Sequence, residues 1–248
     1  MNINTVISQS QIQETMARLS YFDGWNKSQL AQLAAGANQL VALKKEKLVG
    51  KGDLLDSLYV VVSGQVRLFI PLSNGSERVI SQVGRGESFG EPCLIVGQPC
   101  PYEAVASKKS HVIAIDGLVY RRVLVQNPLM LDRTLSLVSQ RLLHTVRDIE
   151  ICAQPLSIQR VARFLMQLAP EQGKHELPVN GFEIRLPALK RDIAAKLGLS
   201  QETFSRMLAF MTKQGFIQVK GAQIRVDDRD KLLQLTTAGC SSDVGVEN

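Results

Sequence analysis

Hydrophobic residues recur at alternating steps of four and three over residues 131–152. The positions are Leu131, Leu135, Val138, Leu142, Thr145, Ile149 and Cys152. This is the a/d spacing of a coiled coil, so the pattern predicts one long helix that pairs with the same helix of a second copy. Asn127-Pro128 marks its start and Gln154-Pro155 its end. A helix buried within a single chain is the alternative, because only three heptads are regular.

A different pattern occupies residues 42–116. Short runs rich in β-branched residues (SLYVVVSG, QVRLFIPL, ERVISQVG and SHVIAID) are separated by glycine-containing turns. Regular short strands of this kind favour an antiparallel barrel or sandwich. Asn74-Gly75 predicts a hairpin between two of the runs. Before this region, Asn26 and Gln29 form a capping-box pattern for a helix through Leu33.

The segment 190–211 has the pattern of a helix-turn-helix. Ala194 is small enough for two helices to cross closely, and Gly198 permits the left-handed backbone of the turn. Gly215 ends the second helix, and a hairpin turning at Lys220-Gly221 follows. The apolar side is formed by Ile193, Leu197, Leu199, Phe204, Met207, Leu208 and Met211.

The opposite face of the second helix carries groups that can read DNA bases. These are Gln201, Glu202, Ser205 and Arg206. An arginine can donate to guanine, a glutamate can accept from cytosine, and a serine lets the helix approach a thymine methyl. A routine surface ion pair between Glu202 and Arg206 is the alternative. The predicted DNA-backbone contacts are Lys190, Arg191, Ser200, Thr203, Lys213 and Lys220.

These patterns predict a flexible N-terminus (1–18), a sensor domain (19–126), a dimerisation helix (127–154), a DNA-binding domain (155–235) and a flexible tail (236–248). The formal net charge is +6, and most of the excess lies in the DNA-binding segment. Four scattered cysteines indicate a reducing, cytoplasmic location, and we expect no membrane span and no secretory signal. No nucleophile–base pair, phosphate loop or metal quartet is visible, so neither an enzyme nor a metal site is expected.

With the motif Glu202-Thr-Phe-Ser-Arg206, the chain resembles the Crp/Fnr superfamily of bacterial transcription regulators over about residues 19–235. The resemblance implies an α+β fold: a cyclic-nucleotide-binding-type β-roll, a long dimerisation helix and a C-terminal winged helix-turn-helix. The motif matches the Fnr-branch signature E-x-x-S-R. It implies a palindrome like TTGAT-N4-ATCAA, in which Glu202 and Arg206 read the G·C pair and Ser205 an adjacent T. RNA polymerase is the implied protein partner.

The β-roll resemblance rests on Gly64 and on Gly86-Glu-Ser-Phe-Gly90-Glu91. Cyclic-nucleotide sensors close their phosphate cassette with Arg-Ser, and this chain has Pro101 and Tyr102 there, so cAMP binding is not expected. No cysteine precedes Cys93, which argues against the iron–sulfur cluster of oxygen-sensing relatives. The predicted effector pocket contains Gly90, Glu91, Cys93, Cys100 and Tyr102.

The remaining resemblance is to the Dnr branch of nitric-oxide-responsive regulators, through Phe89-x-Glu and residues 102–106. It makes haem the first candidate cofactor, although His111, His144 and His175 each have a structural interpretation as well. Thiol chemistry at Cys93 or Cys100 is the second candidate signal. The alternative function is a cyclic-nucleotide-binding module that acts on a protein partner, which would need the cassette Arg-Ser and no recognition helix.

Overall fold

The computed structural model describes residues 7–171 and 182–237. The chain divides into two compact units, Met1–His144 and Thr145–Asn248. The division falls inside one long helix, which therefore contributes residues to both units. His175, one of the three candidate histidines, lies outside the described residues.

The helices of the first unit pack against a β-sheet. They are α1 (Gln9–Met16), a 3-10 turn (Ser20–Phe22), α2 (Lys27–Ala35), α3 (Glu91–Val96), α4 (Gly117–Val125) and α5 (Pro128–Cys152), which continues into the second unit. The predicted capping box is confirmed: the Asn26 side chain accepts from the Gln29 backbone N–H at 2.9 Å.

The prediction of a mobile segment over residues 1–18 is wrong for α1. Ser8 and Gln11 form a second capping box, and Ile12 and Met16 are buried one helical turn apart. The segment looks polar as a whole, but these two apolar positions at i and i+4 are enough to hold a short helix on the core.

Eight strands form two four-stranded antiparallel sheets. The strands are β1 (Ala37–Ala42), β2 (Lys47–Val49), β3 (Ser57–Ser63), β4 (Val66–Pro71), β5 (Glu77–Val83), β6 (Ser88–Phe89), β7 (Glu103–Ala106) and β8 (Ser110–Asp116). The sheet orders are β1-β8-β3-β6 and β2-β7-β4-β5. In β3, Leu58 and Val60 face the helices, whereas Tyr59 and Val61 face the interior between the sheets. Because β3 is buried on both faces, its sequence is a continuous apolar run and does not alternate between apolar and polar residues.

Two turns fix the register of the strands. Gly75 has a φ of 79° between β4 and β5, which confirms the predicted hairpin. Gly64 has a φ of 95°, and a Cβ there would lie 2.5 Å from the Ser110 Cα. Only glycine fits this crossing, because the backbone conformation and the close approach both exclude a side chain.

The second unit is a winged helix-turn-helix. Its elements are the end of α5, α6 (Ser157–Glu171), β9 (Phe182–Arg185), α7 (Lys190–Leu197), α8 (Gln201–Lys213), β10 (Ile217–Lys220), β11 (Gln223–Val226) and α9 (Arg229–Thr237). The three strands form an antiparallel sheet in the order β10-β11-β9. Together with the β-roll and the long helix, this unit confirms the predicted α+β fold.

Candidate nucleic-acid interface and sensor site

Helices α7 and α8 meet as the sequence predicts for a helix-turn-helix. Ala194 is buried between them, and Gly198 ends α7 with a φ of 68°. Ser200 caps α8 by accepting the Thr203 backbone N–H at 3.1 Å. Phe204 anchors α8 in the core of the second unit. The apolar side of α8 is thereby fixed inward, and its other side must face solvent.

All four predicted base-reading residues lie on that solvent-facing side. Gln201, Glu202, Ser205 and Arg206 are exposed in the first two turns of α8, over about 7.5 Å of helix. In helix-turn-helix proteins, the N-terminal end of the second helix is the part that contacts base edges.

Glu202 is held as a carboxylate at neutral pH. Its own backbone N–H and the Ser200 hydroxyl keep the pKa of Glu202 below its usual value. Arg206 plays no part in that shift, and within the described residues no ion pair joins the two side chains. Both are therefore open to a ligand, Glu202 as an acceptor and Arg206 as a donor.

The predicted DNA-backbone residues fall into three groups. Ser200 and Thr203 are at the start of α8, where backbone N–H groups favour an anion. Lys190 and Arg191 begin α7, and Arg191 approaches Asp192 at 3.5 Å. Lys213 lies in the last turn of α8, about 20 Å from Ser200, and Lys220 lies at the tip of the wing. All six residues therefore belong to the helix-turn-helix or to the wing that follows it.

The end of α5 belongs to the same unit as the helix-turn-helix. Ile151 is buried in its core, and Asp148 forms a 3.0 Å ion pair with Lys196 of α7. The Cys152 thiol donates to the Lys196 carbonyl at 3.5 Å. Cys152 is half-buried and contacts α7, and its place in the dimer interface stays a prediction.

The remaining heptad positions form an apolar stripe on α5. Leu135, Leu142 and Ile149 are 64%, 62% and 63% exposed. Leu131 and Thr145 are also exposed, and Val138 is half-buried. The sequence pattern missed two exposed apolar side chains beside the stripe, Leu143 and Val146. Such a long exposed apolar stripe is unusual on a monomer.

In the sensor unit the structure brings the five predicted effector-pocket residues into one cluster. Gly90 has a φ of 99° and starts α3, where Glu91 is fully buried. The Arg141 guanidinium of α5 lies 3.0 Å from Glu91 Oε2 and donates to the Ser88 carbonyl at 2.6 Å. The Ser88 hydroxyl donates to the other Glu91 oxygen. Sequence reasoning missed Arg141, because a lone arginine on a polar helix face has no distinguishing pattern.

The other part of the cluster is formed by two thiols and a phenol. Cys93 and Cys100 are buried, and the Cys100 thiol donates to the Tyr102 carbonyl at 3.4 Å. Burial, reinforced by Cys100, raises the pKa of Cys93 to about 11. Burial also raises the pKa of Tyr102, with contributions from Cys100, Cys93 and Glu91. The Cys93 thiol and the Tyr102 hydroxyl are therefore neutral at physiological pH.

The two described histidines lie on β8 and on α5. His111 starts β8, and its Nδ1 is 3.0 Å from the Gln39 amide nitrogen. His144 is exposed on α5. Haem as a cofactor stays a prediction.

Comparison with known proteins gives two family matches. Residues 40–127 match the cyclic nucleotide-binding domain, and residues 159–235 match the Crp-like helix-turn-helix domain. Two relatives decide the family. The "Cyclic AMP receptor protein" of Thermus thermophilus is 31% identical over 71% of this chain and 77% of its own. The "Nitrogen fixation regulation protein FixK" of Rhizobium meliloti is 30% identical over 75% of this chain and 81% of its own.

The chain belongs to the Crp/Fnr family of transcription regulators. Its relatives are regulators of transcription and not enzymes, and the helix-turn-helix is its DNA-binding element.

Solved structures of the family share the fold. FixK2 from Bradyrhizobium japonicum aligns with a TM-score of 0.62 at 24% identity, covering 82% of this chain and 98% of that one. A CooA mutant from Carboxydothermus hydrogenoformans aligns with a TM-score of 0.70 at 18% identity, covering 86% of this chain and 92% of that one. Among the described residues, no helix is long and apolar enough to cross a membrane.

Proposed function

We propose that this Crp/Fnr regulator acts as a homodimer that binds a palindrome with Fnr-type half-sites, TTGAT-N4-ATCAA or similar. The observation that carries the proposal is the exposed set Gln201, Glu202, Ser205 and Arg206 at the start of α8. Glu202 and Arg206 read the G·C pair, one as acceptor and one as donor, and Ser205 contacts the adjacent T.

The dimer forms through the apolar stripe on α5. Three large side chains, Leu135, Leu142 and Ile149, are each more than half exposed along one line. Pairing with the same stripe of a second copy removes this surface from water and places two recognition helices about a two-fold axis. Two half-sites one helical turn apart suit that symmetry.

The signal acts in the β-roll and is redox or gas chemistry, not cAMP. Pro101 and Tyr102 stand where cyclic-nucleotide sensors have Arg-Ser, so no arginine from the cassette is placed to neutralise a cyclic phosphate. The carboxylate of Glu91 already has Arg141 and Ser88 as partners. Haem-bound nitric oxide is the first candidate signal and thiol chemistry at Cys93 or Cys100 is the second, and the link to the Dnr branch stays a prediction. RNA polymerase is the protein partner that the family membership favours.

The test is fluorescence anisotropy of the full chain with a labelled TTGAT-N4-ATCAA duplex, with a scrambled duplex as control, with and without cAMP. We expect tight binding to the palindrome only, and no effect of cAMP. Equal affinity for both duplexes would contradict the half-site assignment. A large gain in affinity with cAMP would contradict the assignment of the signal.

A further inference from the structure

The last turns of the dimerisation helix α5 present two neighbouring faces. Thr145 and Ile149 belong to the apolar stripe and are exposed. Asp148, Ile151 and Cys152 follow the spacing i, i+3, i+4, so they share a second face, roughly a quarter turn away around the helix. This second face contacts the rest of the second unit. One short piece of α5 therefore carries part of the proposed dimer seam and the contacts with the DNA-binding domain.

Helix α7 is held on the second face of α5 by a side chain and by its backbone. The Lys196 ammonium lies 3.0 Å from an Asp148 carboxylate oxygen, and the two side chains are 33% and 24% exposed. The Lys196 carbonyl accepts from the Cys152 thiol at 3.5 Å. We propose that Asp148 and Lys196 are positioning residues for DNA recognition, and that their ion pair sets the half-site spacing that the dimer accepts.

The end of α7 is the part of the helix-turn-helix where these contacts are made. The last four carbonyls of a helix have no partner within the helix. Two of them are bonded from outside α7, because Cys152 of α5 donates to the Lys196 carbonyl and Arg160 of α6 donates to the Leu197 carbonyl at 3.5 Å. Gly198 follows directly and begins the turn to α8. Contacts from α5 and α6 therefore fix the turn from which the recognition helix starts.

Helix α6 is attached to the same end of α5. The Arg160 Nε donates to the Gln154 carbonyl at 2.8 Å, and Arg163 forms an ion pair with Glu150. Ile151 is buried in the core to which α6, α7 and α8 all contribute. The end of α5 is thus part of the body that carries α8, and a displacement of α8 relative to the seam strains the contacts between α5 and α7.

A change of one base pair between the half-sites is a large displacement on this scale. With one helical turn of about 10–10.5 base pairs and 34–36 Å, it moves a half-site by about 3.4 Å and rotates it by about 35°. An ion pair requires its nitrogen and oxygen to lie within about 4 Å, so the 3.0 Å pair of Asp148 and Lys196 does not survive such a shift. The intact pair therefore favours one spacing, and its loss should weaken that preference.

The claim about spacing rests on the proposed function, whereas the role of the pair in fixing α7 does not. The first test measures the affinity of the full chain for palindromes with spacers N3, N4 and N5 between TTGAT and ATCAA, by fluorescence anisotropy. Asp148→Asn and Lys196→Met break the pair, and Lys196→Arg keeps its charge. The matched control is Lys231→Met, which breaks a 2.9 Å pair with Asp228 in the same unit.

We expect the wild type, Lys196→Arg and Lys231→Met to share one preference for the N4 palindrome. In Asp148→Asn and Lys196→Met the ratio of N4 to N5 affinity should fall about fivefold, which corresponds to about 1 kcal/mol. A merely structural role would lower the affinity for all three palindromes equally and leave the ratio unchanged, and that result would overturn the proposal. An equal fall of the ratio in Lys231→Met would overturn it as well.

Hydrogen–deuterium exchange of the same proteins without DNA separates this proposal from the proposed function. The backbone amides at the end of α7, residues 196–199, should exchange faster in Asp148→Asn and Lys196→Met than in the wild type, and at the wild-type rate in Lys231→Met. Unchanged exchange in all variants would show that the pair does not fix α7. A wild type that binds none of the palindromes would contradict the proposed function and the claim about spacing together, while the exchange rates still decide whether the pair fixes α7.

Discussion

Replacing Arg141 with alanine should destabilise the sensor unit far more than an ordinary surface substitution. Arg141 is 37% exposed in its side chain, but its partner Glu91 is 0% exposed. The substitution leaves the Glu91 carboxylate buried with the Ser88 hydroxyl as a neutral donor and without its cation. The loss therefore includes the cost of a charge kept away from water.

The magnitude follows from measured cases of broken buried ion pairs. Removing one partner typically costs about 3–5 kcal/mol. The partial exposure of Arg141 means that water already screens one side of the pair, so we expect the lower end, about 3 kcal/mol. The matched control is Lys47→Ala, which breaks a 2.8 Å pair with Glu103 in which Lys47 is 52% exposed. That loss should be under about 1 kcal/mol.

The assay is urea unfolding followed by the emission of Trp25, the single tryptophan, which is buried in the sensor core. With a slope of about 2 kcal/mol per M, Arg141→Ala should lower the midpoint by about 1.5 M. Protomer concentration is held constant, because dissociation of a dimer would be coupled to unfolding.

Equal midpoints for Arg141→Ala and Lys47→Ala would refute the reasoning. Glu91→Gln gives an internal check, because the amide keeps hydrogen-bonding capacity and leaves no buried charge. It should cost less than Arg141→Ala. The reverse order would show that the charge of Glu91 is not what Arg141 stabilises.

Three further predictions test other parts of the account. Leu142→Glu places two charges across the proposed seam and should give monomers in sedimentation; an unchanged mass would rule out this interface. Ser200→Ala removes the cap of α8 and should cost about 1 kcal/mol, lowering the thermal midpoint of the helix-turn-helix unit in circular dichroism by roughly 4–8 °C. In Gly64→Ala the added Cβ clashes with the Ser110 backbone, so the free energy of unfolding should fall by about 3 kcal/mol. In Gly75→Ala nothing lies within 4 Å of the added Cβ, so the free energy of unfolding should fall by only about 1 kcal/mol. Similar urea midpoints for the two glycine variants would contradict the close approach at Gly64.

Local signals predicted most of the elements. Gly198, Ser200 and the Asn74-Gly75 turn act through the backbone within a few residues, and the structure has each as expected. The exposed face of α8 was also predictable, because Phe204 anchors the apolar side of α8 in the core and the opposite side must then face solvent. Helix α1 was missed because only two apolar residues hold it, and their partners are distant in sequence.

The sensor site was predictable only in part. Gly90, Glu91, Cys93, Cys100 and Tyr102 were grouped by resemblance, and the structure brings them together. Arg141 lies 50 residues from Glu91, so no local pattern could pair them. The heptad predicts the spacing of Cys152 along α5, but no local pattern predicts that its thiol donates to the Lys196 carbonyl, 44 residues away.

The most direct test of the central claim is a double-mutant cycle between Arg206 and its guanine. Affinities of the wild type, Arg206→Ala and, as control, Lys213→Ala are measured on the TTGAT palindrome and on one with its G·C pairs replaced by A·T. The wild type should prefer G·C by about 1–3 kcal/mol per half-site, Lys213→Ala should keep that preference while binding more weakly, and Arg206→Ala should lose it. Equal loss of affinity for both duplexes in Arg206→Ala would contradict base reading by α8.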